Sequence, residues 1–179
     1  MFYSTNYLSP IGMLLLAADG DSLVGLWSEG QKYFGASLVG KMTEKPGLPV
    51  FKKTEKWLDD YFSGKRPAIS ELPLAPIGGA FRKGVWEMLC DIPYGECTTY
   101  GEIARKMAVR MNKKSMSSQA VGGAVGHNPI SIIIPCHRVV GSNGSLTGYA
   151  GGINRKVKLL ELEGADMSGF FIPVKGTAL

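Results

Sequence analysis

The sequence lacks the patterns that mark a secreted, membrane-spanning or metal-binding protein. It contains only three cysteines and two histidines, and none of them lies in residues 1–80. An odd, scattered set of cysteines makes no disulfide framework, so a reducing, cytoplasmic setting is expected. CxxC pairs and closely spaced histidines are absent, so no metal and no cofactor is expected. No apolar run reaches the roughly 20 residues that cross a bilayer. The first residues also show no basic segment followed by an apolar one, so no signal peptide is expected.

The net charge of +5 is unevenly distributed. Residues 1–80 hold eight Lys/Arg and eight Asp/Glu, whereas residues 81–179 hold twelve and seven. The excess positive charge therefore lies in the C-terminal half. This asymmetry favours a polyanionic partner, nucleic acid first. A mildly basic protein without such a partner fits the charge equally well.

Sequence patterns predict two domains of mixed α and β structure. Strands are expected at 12–17 and 23–27, joined by Asp19-Gly20, followed by a helix around 50–61. Residues 65–79 contain three prolines and two glycines and are predicted to be a linker. The expected division is a small α/β domain with an antiparallel sheet over 1–76 and a mostly helical domain over 77–179.

The C-terminal half shows helical periodicity. Apolar residues recur on one face from Phe81 to Ile92, and Thr99 with Glu102 forms a capping box that starts a helix ending near Ala108. A basic loop follows, and a second short helix starts near Ser118. Two short helices joined by a turn predict a helix-turn-helix.

Gly122 and Gly123 stand inside the second short helix, where each costs roughly 1 kcal/mol relative to alanine. Close packing against a neighbouring helix is one interpretation. Close approach to a nucleic-acid backbone is the other, and both can hold together.

Cys136 is the candidate nucleophile, because His137 and Arg138 supply donors and positive charge that favour a thiolate. Cys90 and Cys97 are expected to be inert packing residues. The three isoleucines before Pro135 predict a buried strand that delivers Cys136 rigidly, and Pro135 favours an extended residue before it.

Glu163 is expected to face inward, on the same helical stripe as Val157 and Leu160, where an unpaired carboxylate is costly. From there it can orient the imidazole of His137. Cys136 and His137 are neighbours expected to point apart in an extended chain, so a water between them is the easier route for a proton.

The runs PCHRVVGSNGSLTGYAGG, TTYGEIA and SQAVGGAVGHNP are similar to those of the methylated-DNA–protein-cysteine methyltransferases, also called O6-alkylguanine–DNA alkyltransferases. The resemblance is strong over residues 81–164 and weaker before them. It implies a ribonuclease H-like N-terminal domain. It also implies irreversible, stoichiometric transfer of an alkyl group from O6-alkylguanine to the protein after the base is flipped out of a DNA duplex, with O4-alkylthymine as a further candidate substrate.

The resemblance also implies roles for residues at matching positions. Cys136 would take the alkyl group, with His137, a water and Glu163 relaying its proton, Tyr100 donating to guanine N3 and Asn128 acting as a hinge. Substrate contacts would come from Tyr100, Val139, Ser142, Tyr149, Ala150 and Gly151. DNA contacts would come from Gln119, Ala120, Gly122, Gly123 and Arg138. The protein would act as a monomer on double-stranded DNA.

Two features depart from the family pattern. Gln119 occupies the position where many members insert an arginine into the base stack, and modestly weaker DNA binding is expected from it. The loop with Arg110, Lys113 and Lys114 is longer, and it is either a set of phosphate contacts or a solvated loop. The zinc ligands that some members carry in the N-terminal domain are missing.

Three other functions remain as alternatives from the sequence. A non-catalytic protein that binds alkylated bases is one, although such relatives lack the nucleophile. A helix-turn-helix regulator that uses Cys136 as a thiol sensor is another. A cysteine hydrolase is the third, and it would need an oxyanion motif that the chain does not show.

Overall fold

The structure, a computed structural model, describes residues 1–38 and 40–174. Contacts divide the chain into two compact units. The first comprises residues 1–78 together with 129–133, and the second comprises 79–128 and the chain from 134 onwards.

The first unit is built on a four-stranded sheet of β1 (Phe2–Ser9), β2 (Gly12–Ala18), β3 (Leu23–Ser28) and β4 (Met42–Glu44). The strand order is β3-β2-β1-β4, with antiparallel pairs except for the parallel edge strand β4. The predicted hairpin is confirmed as β2 and β3, and β1 is an additional strand that the sequence analysis did not identify. Alternation along β2 places Leu14 and Leu16 in the core and leaves Met13 partly exposed.

Helix α1 (Pro49–Phe62) confirms the predicted helix and buries one apolar face of Val50, Phe51, Thr54, Trp57, Leu58 and Tyr61. Pro49 suits the first helical position, where its missing N–H has no helical partner to lose. The predicted linker is largely irregular apart from a short 3-10 turn, Ile69–Glu71. Part of it nevertheless pairs with the sheet, because Leu23 N–H donates to Pro73 O and Ala75 N–H donates to Leu23 O.

The second unit contains helices α2 (Ala80–Cys90), α3 (Tyr100–Arg110) and α4 (Ser118–Gly126). The capping box is confirmed: Glu102 N–H donates to Thr99 Oγ1 and Thr99 N–H donates to the Glu102 carboxylate. At the start of α4 the Ser117 hydroxyl accepts from two backbone amides. Trp86 Nε1 donates to Ala124 O at 2.9 Å and so fastens α2 to α4.

The isoleucine run forms turns, and the prediction of a buried strand there is wrong. Ile133 N–H donates to Ser131 O across Ile132, whose φ is +72°, and Cys136 N–H donates to Ile134 O across Pro135. Both are three-residue γ-turns, and Pro135 has φ −81° and ψ 64°, the common form of that turn. Residues Cys136–Arg138 then form a 3-10 turn. The expectation that Cys136 and His137 lie in an extended chain is therefore wrong.

The chain continues from this turn into β6 (Val139–Val140), which pairs in parallel with the two-residue strand β5 (Thr98–Thr99). After a glycine-rich loop, helix α5 (Ile153–Leu162) ends at Glu163. The β5–β6 pair, the 3-10 turn and helix α5 together surround the buried side chains from which the candidate site is built.

Candidate active site and nucleic-acid interface

Glu163 is a buried carboxylate that binds both residues following Cys136. His137 Nε2 lies 2.7 Å from Glu163 Oε1, and Arg138 Nε donates to Oε2 at 2.8 Å. The backbone N–H of Gly95 donates to the same oxygen Oε2 at 3.2 Å. The inward position predicted for Glu163 at the end of α5 is confirmed, because only 4% of the residue is exposed.

The protonation state of the pair follows from burial and charge. Burial opposes the charge of Glu163, but hydrogen bonds from His137 and Arg138 outweigh it and hold the pKa of Glu163 well below its usual range. Burial lowers the pKa of His137, so its imidazole is neutral near pH 7. Since Nε2 faces a carboxylate, Nε2 carries the proton and Nδ1 is the lone-pair nitrogen. Nδ1 is buried without a hydrogen-bond partner among the described residues.

Cys136 is 4% exposed, and burial raises the pKa of its thiol. A hydrogen bond from the Asn128 side chain and the charge of Lys156 partly offset that rise. His137 favours the thiolate, as expected, but through its backbone N–H and not through a charged ring. His137 is neutral, and the charge of Arg138 is directed at Glu163. The resting thiol needs a base to ionise it.

Lys156, on α5, is a site residue that the sequence analysis missed. Its side chain is completely buried, and Nζ donates to the carbonyls of Val139 and Thr147. Burial lowers its pKa to about 8, although the nearby thiols of Cys136 and Cys97 favour the charged form. A signal was present, since Ile153, Lys156, Val157 and Leu160 follow the i, i+3, i+4, i+7 spacing of a core face. A lysine on that face marks a functional position.

Asn128 also closes the loop that leads to the nucleophile. Its side-chain Nδ2 donates to Ile134 O at 2.8 Å, which ties the end of α4 to the residue two before Cys136. This geometry is consistent with the hinge position predicted for Asn128.

Arg138 does not lie on a surface that DNA can reach, and its prediction as a DNA contact is corrected. The residue is 6% exposed, and its guanidinium donates to Glu163 and to Ile92 O. The Cζ atom of Arg138 lies 5.7 Å from the ring centroid of Tyr94. Its guanidinium is occupied in holding Glu163 charged and in place.

A cavity of about 590 Å³ opens between the starts of α3 and α4 and the loop after β6. Its walls are formed by Tyr100, Gly101, Ser118, Gln119, Gly122, Gly123, Ser142, Thr147 and Gly148. The predicted substrate residues Tyr100 and Ser142 and the predicted DNA residues Gln119, Gly122 and Gly123 thus share one cavity. Ala120 is exposed beside them on α4.

The two glycines of α4 differ in surroundings. A Cβ on Gly122 would lie 3.8 Å from the Tyr100 ring, whereas a Cβ on Gly123 would meet nothing within 4 Å. A Cβ on Gly122 would therefore make ordinary van der Waals contact with Tyr100, so close packing does not require a glycine at this position. Gly123 leaves the outer face of α4 open, as the interpretation of close approach by a nucleic-acid backbone requires.

Tyr100 is held above the loop by its hydroxyl, which donates to Thr147 O at 3.1 Å. Burial raises the pKa of Tyr100, with a smaller contribution from Cys136, so the hydroxyl stays protonated. The same carbonyl accepts from Lys156, and Val139 O also accepts from Lys156. The carbonyl of Val139, predicted to bind substrate, is thus engaged within the protein.

The remaining predicted substrate residues lie around this loop. Tyr149 is 8% exposed, and its hydroxyl is buried with no hydrogen-bond partner among the described side chains and backbone. Gly151 is buried and Ala150 half-buried. None of these three is among the cavity-lining residues.

The basic loop after α3 is partly occupied by internal contacts. Arg110 Nη2 lies 2.6 Å from Glu87 Oε2, so this arginine is not a free cation. Lys113 and Lys114 are exposed. Across residues 1–38 and 40–174 no group of three or more His, Cys, Asp or Glu side chains is placed to bind a metal ion.

A buried cysteine is thus followed by a neutral imidazole and accompanied by a buried ammonium, and the charge of the cysteine acts on Tyr100, which lines the cavity. These are the parts that a thiol nucleophile beside a binding cavity requires. Two family descriptions match the chain. "6-O-methylguanine DNA methyltransferase, ribonuclease-like domain" matches residues 1–76, and "6-O-methylguanine DNA methyltransferase, DNA binding domain" matches residues 80–165. The chain belongs to this family of DNA methyltransferases.

Individual relatives agree. The methylated-DNA–protein-cysteine methyltransferase of Haemophilus influenzae is 45% identical over 161 residues, covering 90% of this chain and 86% of the relative. That of Methanosarcina mazei is 50% identical over 157 residues, covering 87% and 92%. The crystal structure of Mycobacterium tuberculosis OGT in complex with DNA has a TM-score of 0.77 and 42% identity, covering 90% and 91%. The fold class predicted from sequence is confirmed, and the non-catalytic and sensor alternatives are not favoured.

Among the described residues no helix is long and apolar enough to cross a membrane.

Proposed function

We propose that this protein repairs DNA by transferring the alkyl group of O6-alkylguanine to Cys136, once per molecule. The observation that carries the proposal is the buried pair of His137 and Glu163, whose Nε2 and Oε1 atoms are 2.7 Å apart. His137 directly follows the buried thiol of Cys136 in the sequence. A neutral imidazole with its lone pair at Nδ1 is the base that a protonated thiol requires.

The proposed reaction starts with removal of the thiol proton. A water molecule carries the proton of Cys136 to Nδ1 of His137, and Glu163 stabilises the imidazolium that forms. The thiolate then attacks the alkyl carbon, forming an S–C bond while the C–O6 bond breaks. The electron pair of that bond passes to the purine, where Tyr100, which is kept protonated by burial, stabilises the charge with a hydrogen bond to N3. The proton that left Cys136 passes from His137 to the departing guanine, which leaves as a neutral base. The product is a thioether, which no group in the site can reverse.

The target base has to leave the duplex to reach the site, because O6 is not accessible for in-line attack within stacked DNA. We propose that the open face of α4 around Gly123 approaches the duplex and that Gln119, at the exposed start of α4, occupies the position left by the flipped base. The C-terminal domain, residues 77–179, carries these functions, and the protein acts as a monomer in the cytoplasm. Acceptance of O4-alkylthymine is part of the same proposal.

The test of the function is the intact mass of the protein after incubation with a duplex carrying one O6-methylguanine. We expect each protein molecule to gain one methyl group and the lesion to disappear in equal amount. An unmodified duplex of the same sequence should cause no change. Preferential binding of the lesion duplex without a mass change would contradict transfer and favour non-catalytic recognition.

Gln119→Arg tests the assignment of the residue that fills the stack. Arginine replaces a neutral donor to the orphaned cytosine and the phosphates with a charged one. We therefore expect lesion-duplex binding to tighten roughly 3- to 10-fold, the scale by which a charge-assisted hydrogen bond exceeds a neutral one. Leu8→Arg, which adds the same charge at a residue 75% exposed in β1, is the control. Binding and single-turnover transfer are measured for both. If Gln119→Arg changes neither, Gln119 does not fill the stack.

A further inference from the structure

The last described residues of the chain pair with the loop that forms one wall of the cavity. Phe171 N–H donates to Gly144 O at 3.1 Å, and Leu146 N–H donates to Phe171 O at 3.0 Å. These two bonds form a parallel bridge between Ser145 and Phe171. Ser142 lies on the same loop and lines the cavity, as does Thr147. The tail is therefore hydrogen-bonded to the substrate loop itself.

The tip of this loop has a tight and well-defined shape. Gly141 N–H donates to Ser145 O, Gly144 N–H donates to Gly141 O, and Gly144 has φ +86°. This is the three-residue hairpin connection with a left-handed third residue. A Cβ on Gly144 would come within 2.0 Å of Gly169 O, so the tail backbone lies directly against the tip.

Side-chain packing fixes the tail in this place. Phe170 packs, with Ala165 and Met167, against the buried cluster of Val140, Leu146 and Leu160. The tail also begins at Ala165, two residues after Glu163, with Gly164 between them at φ +70°. The same short segment thus follows closely after Glu163, whose carboxylate binds His137, and it is hydrogen-bonded to the loop that carries Ser142.

We infer that residues 165–171 are a positioning element that holds the cavity wall formed by Ser142 and Thr147, and so limits the size of the alkyl group that is transferred. This inference rests on the proposed function. A loop whose second arm is hydrogen-bonded to the tail at Gly144 and Leu146 keeps its wall fixed, and a bulky O6 substituent then meets a rigid boundary. When the tail is released, the wall yields to larger groups and aligns the methyl group less well.

Phe171→Pro is the variant that tests the inference, and Phe171→Ala is its matched control. Proline removes the N–H that donates to Gly144, whereas alanine keeps it and removes a side chain that is 46% exposed. Single-turnover transfer is measured with duplexes carrying O6-methylguanine and O6-butylguanine. The loss of one hydrogen bond is expected to slow methyl transfer roughly 5-fold in Phe171→Pro. The ratio of butyl to methyl transfer rates should rise several-fold in the same variant and stay at the wild-type value in Phe171→Ala.

The rate ratio separates positioning from general damage to the fold, because a smaller folded fraction lowers both rates equally. Should Phe171→Pro not fold, Phe170→Ala, which keeps every backbone hydrogen bond but removes packing under the tail, should shift the ratio in the same direction. An unchanged ratio in a folded variant would overturn the inference. Wild-type protein that transfers no methyl group at all would instead overturn the proposed function.

Discussion

Cys136→Ala protein is expected to gain no methyl group from an O6-methylguanine duplex and to retain binding to it. Alanine removes the sulfur and leaves the Asn128–Ile134 hydrogen bond, the His137–Glu163 pair and the cavity residues in place. The other two thiols cannot substitute. Burial, with a contribution from Asp91, raises the pKa of Cys90 to about 11, and Cys97 packs in the apolar cluster with Val140 and Leu146. The expected loss of transfer is complete.

Intact mass and peptide mapping measure this result, and Cys90→Ala and Cys97→Ala are the matched controls. Both controls should still gain one methyl group, located on the peptide that contains Cys136. A methyl gain that persists in Cys136→Ala would show that another residue is the acceptor and would refute the proposed reaction.

Lys156→Met is expected to slow transfer roughly 100-fold, the scale of losing one preorganised donor from a site where charge develops. Its ammonium is the cation whose charge lowers the pKa of Cys136. Methionine fills a similar volume but supplies neither this charge nor the hydrogen bonds to Val139 O and Thr147 O. The matched control is Lys158→Met, the same change on an exposed position of α5, which should transfer at the wild-type rate.

The pH dependence distinguishes loss of charge from loss of packing. Lys156 is protonated below its pKa of about 8, so wild-type transfer should lose the benefit of this charge as the pH rises through that value. Lys156→Met should lack this alkaline step. The pKa of a lysine in the unfolded chain is 10.5, so between about pH 8 and 10.5 the unfolded chain binds one proton more than the folded protein. In this pH range Lys156 therefore makes folding more favourable as the pH rises. Rate profiles of equal shape in both proteins would contradict the role of the charge.

Much of the fold was readable from local patterns, because local chemistry determines those parts. The hairpin of β2 and β3, the apolar face of α1 and the capping box at Thr99 each depend on residues a few positions apart. Glu163 was placed correctly because helical spacing alone carries it to the inner face of α5. Strand β1 was missed, because its side chains alternate poorly between buried and exposed positions.

The segment before Cys136 shows why other parts were not readable. Three isoleucines have strong strand propensity, yet Ile132 adopts φ +72°, which costs a β-branched residue of the order of 1–3 kcal/mol. Contacts distant in sequence help to hold it there. Leu26 N–H donates to Pro129 O, and Ser131 N–H donates to Leu26 O. The direction of Arg138 was misjudged for a similar reason, since its partners Glu163 and Ile92 are remote in the chain.

The burial of Cys136 has a consequence for which molecules can consume the protein. A reagent that reacts once is wasted on any electrophile that reaches it first. Oxidants and free alkylating agents select cysteines that are exposed and ionised, and this thiol is 4% exposed with a raised pKa. In the proposed mechanism it becomes reactive only when a base enters the cavity and the proton leaves through His137. The number of unreacted molecules in a cell would then record the lesions met in DNA and not the cell's general exposure to electrophiles.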